Sequence, residues 1–185
     1  NCLMPIPLGV LAVAGAGAPA AAGAFDLLET VTPTGTTTLT FTGLDTYTQY
    51  KHLQIRFTHQ NATPTFSQLQ VRLNSDTGSN YARHALFGDG STVQSTANTS
   101  ATFMQAGGSS NTANQFTAGV IDILDFSSSS KNTTIRALSG YPTGSPRIWF
   151  FSGFWNNTAA VTSITLLDSA ANFATGSRFS LYGIK

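Results

Sequence analysis

The sequence contains few charged residues. Only 9% of its 185 residues are Asp, Glu, Lys or Arg, far below the roughly 25% of an ordinary soluble domain. The basic residues are scattered, and the net charge is +1. Proteins that bind nucleic acid need a basic stripe that displaces counterions from the phosphates. The composition therefore argues against a nucleic-acid partner.

Cysteine is nearly absent, and histidine is rare. Cys2 is the single cysteine, so no internal disulfide can form and a zinc site would lack thiolate ligands. His52 and His59 lie an odd number of residues apart, which places them on opposite faces of one regular strand. His84 completes the set, and neither an HxH nor an HExxH spacing occurs. We predict structural histidines, no bound metal and no cofactor.

The acidic residues do not form a convincing catalytic pair. A glycosidase needs two carboxylates about 5 to 9 Å apart, but Asp122 and Asp125 would point to opposite faces of a strand. Asp76 and Asp89 stand in turn-forming stretches, where such residues usually cap turns. The GxSxG motif of a nucleophilic serine does not occur. We therefore predict that the protein is not an enzyme and has no catalytic residues.

One short stretch is similar to part of a calcium-binding loop. Asn74, Asp76 and Gly78 have the right residue types, but the full loop needs more oxygen ligands and a later acidic residue. An Asx-type turn, in which the side chain accepts a hydrogen bond from the nearby backbone, is the preferred interpretation.

A helical pattern is also missing, because no window from residue 26 onward shows a sustained helical stripe. Apolar and polar residues alternate instead, most clearly over 51–60 and 68–74. This alternation places one face of a strand on a core and the other in solvent. Further strands are predicted over 36–42, 119–126, 148–155, 161–167 and 179–184. The segment 119–126 is apolar on both faces and 148–155 is rich in aromatics, so both are predicted to be buried.

Turn-forming residues separate these runs. Clusters of Gly, Asn, Asp and Ser occur at 74–80, 88–91, 106–111 and 127–132, which is typical of loops. About nine or ten short strands at this spacing indicate an all-β protein. We predict an antiparallel β-sandwich over residues 25–185, with a jelly roll as the favoured topology.

Residues 1–24 differ in character from the rest. Residues 8–24 carry no charge and consist mainly of Gly and Ala, whose side chains are too small to build a core. A signal peptide would start with positive residues, and a membrane span needs about 20 mostly apolar residues. We predict an extended assembly arm that buries apolar side chains against a neighbouring subunit. The side chains proposed for this contact are Leu8, Val10, Leu11 and Val13.

Aromatic residues gather between 141 and 155, and they suggest an alternative function. Exposed rings can stack on sugars, although aromatic rings in a sandwich usually pack in the core. Trp155, with Asn156 beside it and Tyr141 upstream, is the residue most expected to be an exception. The alternative is therefore a glycan-binding module that recognises a host surface.

Several segments together resemble a family of tailed-bacteriophage virion proteins, which is frequent in phages of cyanobacteria and other aquatic bacteria. The opening MPIPLGVLAVAGAG also looks like the N-termini of that family. The segments are YKHLQIRF (50–57), VRLNSDTGSNYARHALFGDGS (71–91), VIDILDF (120–126), SGFWNNTAAVTSITL (152–166) and FSLYGIK (179–185).

This resemblance implies a structural protein of the particle without enzymatic activity. It implies a place on the virion surface, as a capsid decoration (cement) protein or as a tail fibre or spike subunit. Its partners would be other virion proteins and copies of itself, with a trimer as one option. The resemblance supplies no catalytic residues.

Overall fold

The regular structure of the described part of the chain consists of β-strands and one short 3-10 helix, Leu44–Thr46. In the computed structural model it comprises residues 23–63, 66–109, 112, 114–141 and 146–185, with only the backbone of Tyr141. The first strand begins at Phe25, where the sequence changes from small residues to alternating ones. The strands are β1 (Phe25–Val31), β2 (Thr38–Phe41), β3 (His52–His59), β4 (Ser67–Leu73), β5 (Tyr81–Gly88), β6 (Val93–Ala101), β7 (Met104–Ser109), β8 (Thr117–Leu124), β9 (Thr133–Tyr141), β10 (Arg147–Trp155), β11 (Ile164–Asp168) and β12 (Arg178–Ile184).

The strands form two antiparallel sheets. The larger sheet has eight strands in the order β1-β12-β3-β8-β9-β10-β5-β6, and the smaller has four in the order β2-β11-β4-β7. Apolar residues of both sheets meet in one core between them. The predicted antiparallel β-sandwich is therefore confirmed, with twelve strands among the described residues in place of the nine or ten expected.

The strand pairing follows the jelly-roll pattern. In a jelly roll a long antiparallel ribbon folds over, so its first strand pairs with its last, its second with the one before, and so on inward. Here β2 pairs with β11, β3 with β8, β4 with β7 and β5 with β6. The pairs alternate between the two sheets, which is the predicted topology.

Two additions distinguish this sandwich from the simplest jelly roll. The meander β8-β9-β10 occupies the place of one strand, since β8 pairs with β3 and β10 pairs with β5. An odd number of antiparallel strands leaves the chain running in the same direction as one strand would. β1 and β12 extend the same sheet beyond β3.

The strands with the clearest alternation have the predicted faces. In β3, Leu53, Ile55 and Phe57 are buried while Arg56 and Thr58 are exposed. The apolar residues of β4 are completely buried as well. The central position predicted for 119–126 is confirmed, since β8 lies between β3 and β9. Its outer face is only partly covered, however.

The prediction that 148–155 is a wholly buried strand is wrong. β10 buries Trp149, Phe151 and Trp155 on its inner face, but Phe150 and Phe154 on the outer face remain exposed. The smaller sheet covers one face of β10 only, and among the described residues no second layer lies outside it. Aromatic content alone therefore does not reveal how many faces of a strand are buried.

Candidate functional site

The most concentrated polar group of the described residues lies inside the sandwich. Four strand ends converge there: His59 ends β3, Ser67 begins β4, Ser109 ends β7 and Asp168 ends β11. These side chains are at most 5% exposed. The sequence does not show that they meet, because Ser109 lies 50 residues from His59 and Asp168 lies 59 residues from Ser109. The jelly-roll wiring brings these strand ends together.

Hydrogen bonds link these side chains into one network centred on Asp168. The hydroxyls of Ser67 and Ser109 donate to Oδ2 of Asp168 at 2.7 and 2.6 Å. The backbone N–H groups of Ala170 and Ala171 donate to its Oδ1 at 3.1 Å each. Nε2 of His59 lies 2.6 Å from Oγ of Ser109. All four bonds to Asp168 stabilise its carboxylate inside the protein.

The network contains Ser, His and Asp but does not have the arrangement of a catalytic triad. In a triad the aspartate orients the histidine, and the histidine accepts the proton of the serine. Here the hydroxyl of Ser109 already donates to Asp168, so Nε2 of His59 must donate to Ser109. Ser109 and His59 are also 0% exposed, which leaves no access for a substrate. The network is suited to holding the strand ends together.

His59 is held in its neutral form. Burial lowers its pKa from 6.5 to about 4, and the nearby charge of Asp168 opposes this only in part. Its Nδ1 has no hydrogen-bond partner among the described residues. The ring packs against Phe57, Phe173 and Phe179, with centroids 5.5 to 6.2 Å apart. A protonated imidazole would place a second N–H against these apolar rings, at a high cost in free energy.

The prediction that Trp155 is exposed is wrong. Its side chain is 2% exposed and belongs to the core. Its indole nitrogen donates a hydrogen bond of 2.7 Å to Asp76. Trp155 therefore presents no ring face to a sugar, and the glycan-binding alternative loses its main residue.

Of the other two predicted glycan contacts, only Asn156 has a described side chain. Asn156 is exposed, its backbone N–H donates to the carbonyl of Asn80, and its amide oxygen accepts from Asn132. The side chain of Tyr141 lies outside the described part of the structure. The assembly-arm residues Leu8, Val10, Leu11 and Val13 also lie outside the described residues.

The 74–78 segment forms an Asx turn, the preferred interpretation from the sequence. The carboxylate of Asp76 accepts hydrogen bonds from the Gly78 backbone N–H at 2.7 Å, from the Asn80 amide at 2.9 Å and from Trp155. Desolvation raises the pKa of Asp76, but the hydrogen bonds from Trp155, Asn80 and Gly78 outweigh it and bring the pKa below its usual value. The turn thus connects the loop to the core.

Replacing Asp76 with alanine should destabilise the fold by about 2 kcal/mol, because the buried indole N–H of Trp155 loses its charged acceptor. Chemical unfolding in urea measures this. Asp89→Ala is the matched control: Asp89 also accepts three hydrogen bonds in a turn, but all of them come from Ser91 and Thr92 at the surface. Asp89→Ala should reduce the free energy of unfolding by a clearly smaller amount. Equal losses would contradict the role assigned to the indole.

The outer face of the large sheet carries exposed apolar side chains in register. Leu86 of β5 and Leu138 of β9 flank Phe150 of β10 as its direct cross-strand neighbours. These three residues, which we call the apolar ridge, are 51%, 48% and 45% exposed. Large contiguous patches of exposed apolar side chains are typical of surfaces that contact other molecules. The sequence analysis missed this ridge, because 148–155 is apolar at successive positions and does not show whether one face or both faces of the strand are covered.

Some charged groups of the described surface form ion pairs. Arg136 pairs with Asp122 at 2.8 Å, and Lys185 lies 3.3 Å from Asp26. Within the described residues no group of three potential ligands is placed to hold a metal ion. In the same part of the chain, no helix has the length and apolar character needed to cross a membrane.

Comparison of the chain with models of known protein families, with curated proteins and with solved structures found no match. The functional argument therefore depends on the chain itself: a sealed polar network, a low-charge surface and an apolar ridge on one sheet.

Proposed function

We propose that this protein is a non-enzymatic structural subunit of a bacteriophage virion surface, as a capsid decoration protein or a tail fibre or spike subunit. The resemblance of its sequence segments to virion proteins supports this role. The buried Ser–His–Asp network is consistent with it, because the network stabilises the sandwich and is closed to substrates.

The observation that carries the proposal is the apolar ridge. An isolated soluble domain gains nothing from holding Leu86, Leu138 and Phe150 side by side in water, whereas a subunit of an assembly gains about 25 cal/mol for each Å² of apolar surface it buries. The ridge lies on the sheet face that the smaller sheet does not cover. We assign it as a contact with other virion proteins.

The N-terminal arm is the second proposed contact. Its apolar residues would bury surface on a neighbouring protein, and its Gly and Ala residues would allow the two backbones to approach closely. The arm precedes β1, at one end of the large sheet, while the ridge lies on β5, β9 and β10 toward the other end. Within the described residues, the start of β1 and the ridge are thus separated on the large sheet.

Incorporation into particles tests this role. Deleting residues 1–24, or replacing Phe150 with serine, should reduce the protein found in purified virions to background while thermal unfolding shows that each variant is folded. Leu27→Ser is the control, because Leu27 is 56% exposed on β1, far from the ridge. It should leave incorporation unchanged. Full occupancy by both the deletion and Phe150→Ser would reject the proposal.

A further inference from the structure

In the part of the chain that the structure describes, the two sheets end in four edge strands that differ in protection. An edge strand exposes unpaired backbone N–H and C=O groups, and proteins prevent unwanted pairing by covering, shortening, bulging or charging it. β7 is buried along its whole length. β2 has only four residues. β1 carries Asp26 and Glu29, with a bulge between Leu27 and Glu29.

β6 is the unprotected edge. It is nine residues long, contains no charged residue and no proline, and is exposed at eight of its positions. The smaller sheet does not reach it, so the strand is open to solvent on both faces. Its pairing with β5 is regular over 93–98, and the single irregularity lies nearer its C-terminal end. Among the described residues, no strand pairs with its outer side.

We propose that β6 is a self-association surface, on which two copies of this chain pair strand to strand across a two-fold axis. Antiparallel pairing would join the two eight-stranded sheets into one continuous sheet and satisfy the open backbone groups of both edges. The occupant of the edge is thus a second copy of the chain.

Charge is the reason for choosing a second copy. In a two-fold pair each strand faces itself, so a charged side chain near the axis meets an identical charge, which is destabilising. β6 has only Val, Gln, Ser, Thr, Ala and Asn and avoids this conflict. On β5 the nearest cation, Arg83, is directed toward its own molecule: it donates to the carbonyl of Phe103 and lies 4.2 Å from that ring's centroid.

The geometry restricts the register. Residues that face each other directly across an antiparallel pair lie on the same face of the sheet. The two facing residues therefore differ by an even number of positions, and the two-fold axis passes between one residue and its own copy in the second chain. We call this the residue on the axis. Ser95 and Thr96 are at the centre of the regular segment 93–98. With Ser95 on the axis, Val93 faces Ala97 of the second copy and Gln94 faces Thr96. With Thr96 on the axis, Gln94 faces Asn98.

Sedimentation of the isolated 185-residue chain tests the proposal. The surface area buried by one strand pair is small compared with the roughly 1,200–2,000 Å² buried in a stable complex. The dimer should therefore be weak, and its fraction should rise as the protein concentration increases from about 1 to about 100 μM. The double variant Ser95→Lys/Thr96→Lys places like charges at the axis in either register and should remain monomeric. The control Leu27→Lys/Thr40→Lys adds the same charge on β1 and β2 and should dimerise normally.

A second measurement covers the case in which the lysine variant fails to fold. In a Cys2→Ser background, oxidation should join two copies through Ser95→Cys or through Thr96→Cys, depending on which residue lies on the axis. Monomers throughout, or dimers that form equally in the lysine variant, would overturn the inference. The result does not depend on the virion role, because it concerns the isolated protein, and incorporation into particles is measured separately.

Discussion

Lowering the pH from about 7 to about 4 should reduce the free energy of unfolding by about 3 kcal/mol through one side chain, His59. Its pKa in the folded protein is about 4, against 6.5 for an exposed histidine. Between these two values the unfolded chain binds a proton that the folded chain does not bind. The contribution of His59 is therefore complete above pH 6.5 and is lost as the pH falls to about 4.

Urea unfolding at a series of pH values, compared with His59→Gln, measures this effect. Glutamine keeps an N–H donor for Ser109 but does not titrate, so the variant should lose most of the slope between pH 6.5 and 4. The aspartates with lowered pKa values change the free energy of unfolding mainly below their usual pKa of 3.8, which lies outside this pH range. These are Asp26, Asp76, Asp89 and Asp125. Identical slopes for the two proteins would show that His59 is not the source.

Replacing Gly153 with alanine should destabilise the sandwich by about 3 kcal/mol, because overpacking at this site cannot be relieved by moving a flexible side chain. Gly153 pairs with Arg83 on one side and Ile135 on the other. A methyl group there would overlap the carbonyl oxygen of Ala82 and lie 2.9 Å from Cα of Arg83. Both of these atoms belong to the backbone of β5, next to the irregularity in its pairing with β6.

Gly140→Ala is the matched control for this prediction. Gly140 is also a strand glycine of the large sheet, on the adjacent β9, but an added Cβ would meet nothing within 4 Å. Since alanine loses less conformational entropy than glycine in a strand, the control should be neutral or slightly stabilising. Thermal unfolding of both variants decides the matter, and a Gly153→Ala protein as stable as the wild type would refute the close approach of the two strands.

The fold could be predicted where the residues within one strand show which of its faces is buried. Leu53, Ile55 and Phe57 alternate with polar residues, and that pattern is enough to assign a strand with one buried face. The same reasoning failed for β10, because its outward-facing residues are apolar although no second layer of described residues covers them. Whether a second layer lies above a strand depends on distant segments, and the alternation of residues within the strand contains no information about them.

The candidate sites depended even more on distant contacts. The Asx turn at Asp76 was predictable because its partners lie within a few residues, but the hydrogen bond to Trp155 was not, since that residue is 79 positions away. The same applies to His59, Ser109 and Asp168. Their association is a consequence of the jelly-roll wiring, which brings the ends of β3, β7 and β11 together.

The meander β8-β9-β10 has a consequence for the shape of the molecule. The large sheet has four strands more than the small one, which at about 4.8 Å per strand makes it roughly 19 Å wider. Four strands cannot lie over the full width of eight, and at the two ends of the large sheet β1 has no fully buried residue and β6 has one. Because a hairpin adds two strands without reversing the chain, the width of the large sheet can change during evolution in steps of about 10 Å while the pairing of the other strands stays the same.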